Sequence, residues 1–213
     1  MKRYMFGLLI VALLLVPFGV LAQRASSDDP QDTSGLLDVR RVNLSGALER
    51  PTFKTITFKR WTAKRLWDRG YVIVHLDASG DNRFEHYILV RSTGGRMAAS
   101  LYRDRKNDVD VFVGDVDVWR PNKRSVAVRV KLARLNMPEQ RTYYRWFVKT
   151  LMLGNNCPTV CMDRVPNRGA ERQSLIPDPE PTVEPTPLPT LTIVPSPEPT
   201  QTSEPTPEPT DAP

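Results

Sequence analysis

The residues best suited to chemistry fall into three groups. Asp77, Ser79, Asp81 and Glu85 gather oxygen-bearing side chains in one short loop, with Gly80 easing the turn. Such a loop is a candidate ligand set for calcium. That ion takes about six to eight oxygens, so Asp38 or the Asp104–Asp108 loop would have to complete the shell. The spacing does not match an EF-hand. The second group is Trp61, Trp67, Trp119 and Arg120. Exposed rings stack on sugars or cations, and an arginine can clamp a carboxylate. Trp61 and Trp67 are flanked by Arg60, Lys64, Arg65 and Arg69, and Trp119 stands beside Arg120-Pro121. The third group is Cys157 and Cys161, the only cysteines. In an exported chain two cysteines most simply form one disulfide, here closing a tight local loop.

Catalytic patterns are weaker. Asp77, Asp81, Glu85, Asp115 and Asp117 offer carboxylates for glycoside hydrolysis. Yet Asp115 and Asp117 alternate with valines, as a solvent face does. The two histidines, His75 and His86, adjoin no recognisable nucleophile motif. The sequence contains no G-x-S-x-G, Walker-type loop or H-E-x-x-H. The expectation is a protein that is not an enzyme. Arg129, Lys131, Arg134, Arg141 and Arg145 could form a basic stripe, but without a nucleic-acid-binding fingerprint no specific nucleic acid is expected.

The elements that must position these residues read as strands. Val72, Val74 and Leu76 share one face, and His86–Val90 and Met97–Tyr102 follow as strands, with Thr93-Gly94-Gly95 as the turn between them. Ile56 and Phe58 are assigned to one face of an earlier strand. Val109, Val111 and Val113 share one phase and Val116 and Val118 the other, so a bulge or turn is expected at Gly114-Asp115. Val126, Val128, Val130 and Leu132 alternate with polar or small residues, which predicts a strand with one wet face. Tyr143–Met152 carries aromatics on both faces and reads as a central strand. No long segment has a helical period. The pattern predicts an all-β, antiparallel sandwich of jelly-roll type.

The flanks differ in kind. Lys2 and Arg3 precede an apolar run from Gly7 to Leu21, and Val20-Leu21-Ala22 ends in a small residue, as in a secretory signal peptide. The run is short for a membrane span, and no second span follows, so no membrane contact is expected after cleavage. The expected organisation is a signal peptide at 1–22, a flexible lead-in at 23–35, the sandwich at 36–170 and a disordered Pro/Thr/Glu-rich tail at 171–213. Thirteen of the twenty prolines lie in residues 177–213. That stretch carries a charge of −7, which leaves +13 on residues 1–176. A basic body suggests an anionic partner. The tail reads as an extended spacer.

Several segments together resemble a group of uncharacterised secreted bacterial proteins of actinobacterial type. They include Asp32-Thr-Ser-Gly-Leu-Leu-Asp-Val39, Leu76-Asp-Ala-Ser-Gly-Asp81, Trp119-Arg-Pro121, Tyr144-Arg-Trp146 and Cys157-Pro-Thr-Val-Cys161. The resemblance implies an exported bacterial domain and no particular activity. The layout is also similar to family-nine carbohydrate-binding modules and DOMON domains, with Asp38, Asp77 and Trp146 in comparable places. The leading expectation is a secreted, non-catalytic module, extracellular or associated with the cell wall, for an anionic or polysaccharide polymer of the cell envelope. Its ligand residues would be Trp61, Trp67, Trp119 and Arg120. The alternatives are a calcium-stabilised interaction domain without a sugar ligand, and a glycoside hydrolase.

Overall fold

Alternating apolar residues build two antiparallel sheets packed face to face. The computed structural model describes residues 22–154 and 156–176. The expected leader before Ala22 and the tail from residue 177 lie outside them. The chain divides at Asp178, and the second unit, Pro179–Pro213, is not among the described residues.

The first sheet has the strand order β1 (Ala22–Asp28), β2 (Val39–Ala47), β3 (Arg50–Thr57), β9 (Ser125–Arg129), β8 (Asp117–Asn122). The second runs β11 (Cys157–Val165), β10 (Tyr143–Gly154), β4 (Gly70–Asp77), β5 (His86–Ser92), β6 (Met97–Arg103), β7 (Val111–Asp115). β12 (Glu171–Ser174) pairs with Tyr143–Trp146 of β10, on the edge that β11 continues. β10 is therefore an interior strand with neighbours on both sides, as its aromatic content predicts.

The core lies between the sheets. Val72, Val74 and Leu76 of β4, Ile88 and Val90 of β5, and Tyr144, Trp146 and Val148 of β10 face Val42, Leu44, Phe53, Val126 and Val128. Phe53 meets Trp146 edge to face at 5.5 Å between ring centroids. Among the described residues no helix is long and apolar enough to cross a membrane.

Four expectations need correction. Part of the supposed lead-in is a strand, because β1 pairs with β2 over its whole length. It is polar because it is an edge strand, held by backbone hydrogen bonds more than by an apolar face. The domain also runs past residue 170, since β12 completes the edge of β10. In β3 the inward phase belongs to Phe53, Thr55 and Thr57, while Ile56 is only half-buried. Thr57 goes inward because its hydroxyl has partners there: it accepts from Trp61 Nε1 at 3.1 Å and faces the carbonyls of Lys59 and Arg124. The outer face of β9 is not wet along its length, because Ser125 and Ala127 are buried. Two short helical turns also appear, α1 (Ala63–Leu66) and a 3-10 turn at Leu132–Leu135. Both are too brief to show a period.

The expected break after Val113 has a larger meaning than a bulge. Val113 is the extra residue in the β6–β7 pairing. Gly114 takes a φ of +151°, open to glycine because it has no Cβ. Val116 N–H then donates to Ala99 O at 3.0 Å, and the chain crosses from the second sheet to the first. The phase slip is a corner joining the two layers.

Candidate functional site

α1, the β5–β6 turn and β8 converge on an open groove of about 600 Å³. Lys64, Arg96, Met97, Val118, Trp119 and Arg120 line it, along with Thr62, Ala63 and the two turn glycines. No Asp or Glu is among these residues. Thr62 starts α1, its hydroxyl accepting from Arg65 N–H at 3.3 Å, and this sets Lys64 on the exposed side. Trp119 is 37% exposed, with the Arg129 guanidinium 5.1 Å from its ring centroid. Trp67 is 60% exposed and rests beside Gly94, where a Cβ would touch the indole at 3.8 Å. That is an ordinary contact distance, so it is the φ of +92° at Gly94, and not the ring, that favours glycine in this turn.

The four expected ligand residues thus come together but do not play one role. Trp119 lines the groove and Trp67 stands at its rim. Trp61 does not face solvent: it is 2% exposed, in the core. Arg120 covers it, with its guanidinium carbon 3.8 Å from the Trp61 centroid. One Arg120 nitrogen donates to the Trp61 carbonyl at 2.8 Å, and its Nε is buried without a partner. Burial holds the Arg120 guanidinium below its ordinary pKa. Arg120 therefore forms the groove floor. The sequence misleads here because an arginine near a tryptophan looks the same whether it meets a ligand or seals the ring.

The acidic loop brings Asp77, Asp81 and Glu85 together, with ligand atoms within 4.8 Å of one another. Most of that oxygen already serves the loop itself. Asp77 is fully buried and accepts from the amides of Gly80 and Asn82, the latter at 3.1 Å, with the Ser79 hydroxyl at 3.4 Å. Glu85 accepts from Ala78 N–H at 3.1 Å. Asp81 accepts from Arg83 N–H at 2.8 Å and pairs with that guanidinium. The Arg83 amide and then the Ser79 hydroxyl hold Asp81 below the usual carboxylate range. The Arg141 guanidinium packs against Gly80 where any side chain would sit. Cys157 and Cys161 form the expected disulfide, at the start of β11, against Gly35.

Two further groupings escape sequence reasoning. The first is an aromatic row on the outer face of the second sheet. His75 stacks on Phe147 at 4.3 Å, Tyr87 on Tyr102 at 5.2 Å, and Tyr102 meets Phe112 at 5.8 Å. These are direct cross-strand neighbours. Arg164 closes the row over Phe147 at 4.1 Å. His75 with Phe147 and Tyr87 with Tyr102 stack, and Tyr102 meets Phe112 edge to face, so the row contributes cross-strand contacts to the sheet. Burial, then Lys149 and Arg164, lowers the His75 pKa to about 4. Most of these strands contribute a single ring, so no local sequence pattern reveals the row.

The second grouping is a set of four aspartates at the opposite end of β2 from its hairpin with β3. Asp29 follows β1, Asp32 lies in the next loop, Asp38 precedes β2, and Asp163 sits on β11. Asp163 accepts from Val39 N–H at 2.6 Å and from Arg164 N–H at 2.7 Å. The Asp29 carboxyl lies against it, and burial followed by the Asp163 charge raises Asp29 to about 7. Burial, then Asp163, raises Asp38 to about 6, although the nearby Thr33 amide and Lys59 oppose the shift. Asp29 and Asp163 are more than 130 positions apart, so no local pattern reveals the set. Comparison with protein-family models, with curated proteins and with solved structures finds no match to this chain.

Proposed function

We propose that this chain is an exported, non-catalytic module that binds an anionic polysaccharide of the cell envelope through the groove beside β8. The observation that carries the reading is the lining: three cationic side chains, no carboxylate, and Trp119 exposed along the wall. Lys64 and Arg96 are exposed and attract negative charge, while Trp119 and Trp67 offer apolar ring surface to a sugar. The groove is open at its sides, as a polymer requires and a small substrate does not. Export rests on the leader-like sequence before Gln23, and the disulfide is compatible with an oxidising compartment. The Pro/Thr/Glu-rich sequence after residue 176 would serve as a spacer, whose negative charge discourages it from settling on an anionic polymer.

The test is sedimentation of the purified chain with insoluble polysaccharides and bacterial cell walls, at low and high salt. Pelleting with an acidic polymer should fall at least tenfold in the double variant Trp67→Ala, Trp119→Ala and resist moderate salt in the parent. It should fall in Lys64→Ala, Arg96→Ala at low salt. Pelleting that ignores the tryptophans and vanishes with salt would reduce the contact to net charge and overturn the groove.

A further inference from the structure

In an antiparallel sandwich the inner faces are apolar and the outer faces meet water. The first sheet follows that rule: Arg41, Asn43 and Ser45 of β2 and Lys54 of β3 point outward. The second sheet does not. Its outer face carries three rows of cross-strand neighbours, the first being the aromatic row from Phe147 to Phe112. In the second row Arg164, Lys149, Ile73, Leu89, Ser100 and Asp115 run from β11 to β7. In the third, Met162, Leu151, Tyr71, Arg91 and Ala98 run from β11 to β6. Every apolar residue of these rows is half-buried or exposed, with Phe112 and Met162 the most open. An apolar face of this breadth marks an interaction surface.

The charges on this face are sorted by sign. Lys149 and Arg164 stand at the β10–β11 end, where the outward positions of both strands hold no carboxylate. Asp115 stands at the β7 end and accepts from the Ser100 hydroxyl at 2.9 Å. Two more acids join it there: Asp104 directly follows β6, and Asp110 directly precedes β7 and accepts from the Tyr87 hydroxyl at 2.7 Å. Among the described residues none of these five charges is in an ion pair. Arg105 pairs with Asp108, and Arg134 donates to the Asp115 main-chain carbonyl at 2.6 Å and not to its carboxylate. Between the two ends the rows hold one further charge, Arg91 of β5.

We propose that this face joins a second copy of the chain in a two-fold, face-to-face dimer. A two-fold axis in the interface, parallel to the strands and between β4 and β5, sets β4 over β5, β10 over β6 and β11 over β7 of the second copy. Ile73 then meets Leu89, Lys149 and Arg164 lie over the Asp115 end, and Tyr71 offers its ring to Arg91. The axis at right angles in the same plane would set β11 over β11, and cation over cation, so charge selects the first. Symmetry repeats each contact, so one sorted face serves both sides. Strand spacing and rise give the rows on the order of 500 Å² per copy. The pair thus reaches the roughly 1,000 Å² of a specific interface and stays well short of a permanent one, which sets a weak dimer. The proposal is independent of the groove beside β8, whose lining includes no residue of these rows.

The test is sedimentation equilibrium of the purified chain, without polymer, from about 5 to about 500 µM. Expected is a monomer–dimer equilibrium with a Kd between about 1 and 100 µM. Leu89→Gln and Lys149→Glu should each weaken it at least tenfold. Lys54→Glu, on the outer face of the first sheet, should leave the Kd within twofold. Asp115→Lys should also dissociate the homodimer. An equimolar mixture of the Lys149→Glu and Asp115→Lys chains should dimerise again, because each reversed charge then faces the other and each native charge keeps its native partner. A parent chain that stays monomeric at 500 µM overturns the proposal. So does self-association that ignores Leu89→Gln, or a mixture that dimerises no better than its components. Should Asp115→Lys fail to fold, Asp104→Lys takes its place in the mixture.

Discussion

The Arg120 guanidinium lies 3.8 Å above the Trp61 ring while one of its nitrogens donates to the Trp61 main-chain carbonyl. One side chain thus seals the ring and ties β8 to the start of α1. Arg120→Ala removes a partly desolvated cation–π contact and a charge-assisted hydrogen bond, together about 2 kcal/mol. A urea midpoint should fall accordingly, with Arg120→Lys recovering less than half, because an ammonium cannot stack and donate in the same plane. A variant as stable as the parent would show Arg120 to be a free surface residue.

Of the four tryptophans, Trp67 and Trp119 meet solvent while Trp61 and Trp146 are buried. Iodide or acrylamide should quench about half of the native fluorescence and leave the rest. The double variant Trp67→Phe, Trp119→Phe should lose the quenchable fraction, with stability changed by no more than about 0.5 kcal/mol per site.

Asp29 and Asp38 carry folded-state pKa values of about 7 and about 6, above the ordinary 3.8. The folded chain therefore keeps protons that the unfolded chain releases. Their contribution is complete below about pH 4 and is lost as pH rises through 6 to 7. Stability should decline across that window. The double variant Asp29→Asn, Asp38→Asn should flatten the decline and be more stable than the parent at pH 7.5.

His75 acts in the other direction. Its folded pKa of about 4 lies below the ordinary 6.5, so the unfolded chain takes up a proton first as pH falls. The stability it contributes is present above about 6.5 and lost as pH falls toward 4. His75→Phe keeps the aromatic row and removes the titration. Its denaturation midpoint should lose less than the parent's between pH 6.5 and 4.

Asp77 anchors its loop whether or not an ion binds anywhere. Asp77→Ala leaves the amides of Gly80 and Asn82 without their acceptor and should destabilise by about 2 kcal/mol in calcium and in EDTA alike. Hydrogen exchange should quicken at residues 78–82 first. Equal exchange in both proteins would remove Asp77 from the loop's support.

The strands were legible where alternation is strict. Val72, Val74 and Leu76 declare their face because nothing else competes for it. Thr57 does not, because a hydroxyl goes inward only when a partner waits there, and its partners are Trp61 and a carbonyl 67 positions away. The groove was half legible. Its tryptophans and arginine stand out by type, but which ring the arginine covers is decided by packing. Lys64 and Arg96 join it only because the β5–β6 turn lies beside α1. The aspartate cluster was illegible, since it is assembled from two ends of the chain.

The first sheet pairs β3 with β9, so residues 50–57 meet residues 125–129 only after β4 through β7 have been laid down between them. β4 in turn waits for β10. A chain ending before Ser125 leaves β3 paired only with β2 and β4 only with β5, each with one open edge. Such distant pairings fold slowly, in milliseconds to seconds, and all at once. Until then the chain is a threadable and protease-sensitive polymer, so the time between emergence and closure is when it is most exposed to cleavage and to pairing with another copy.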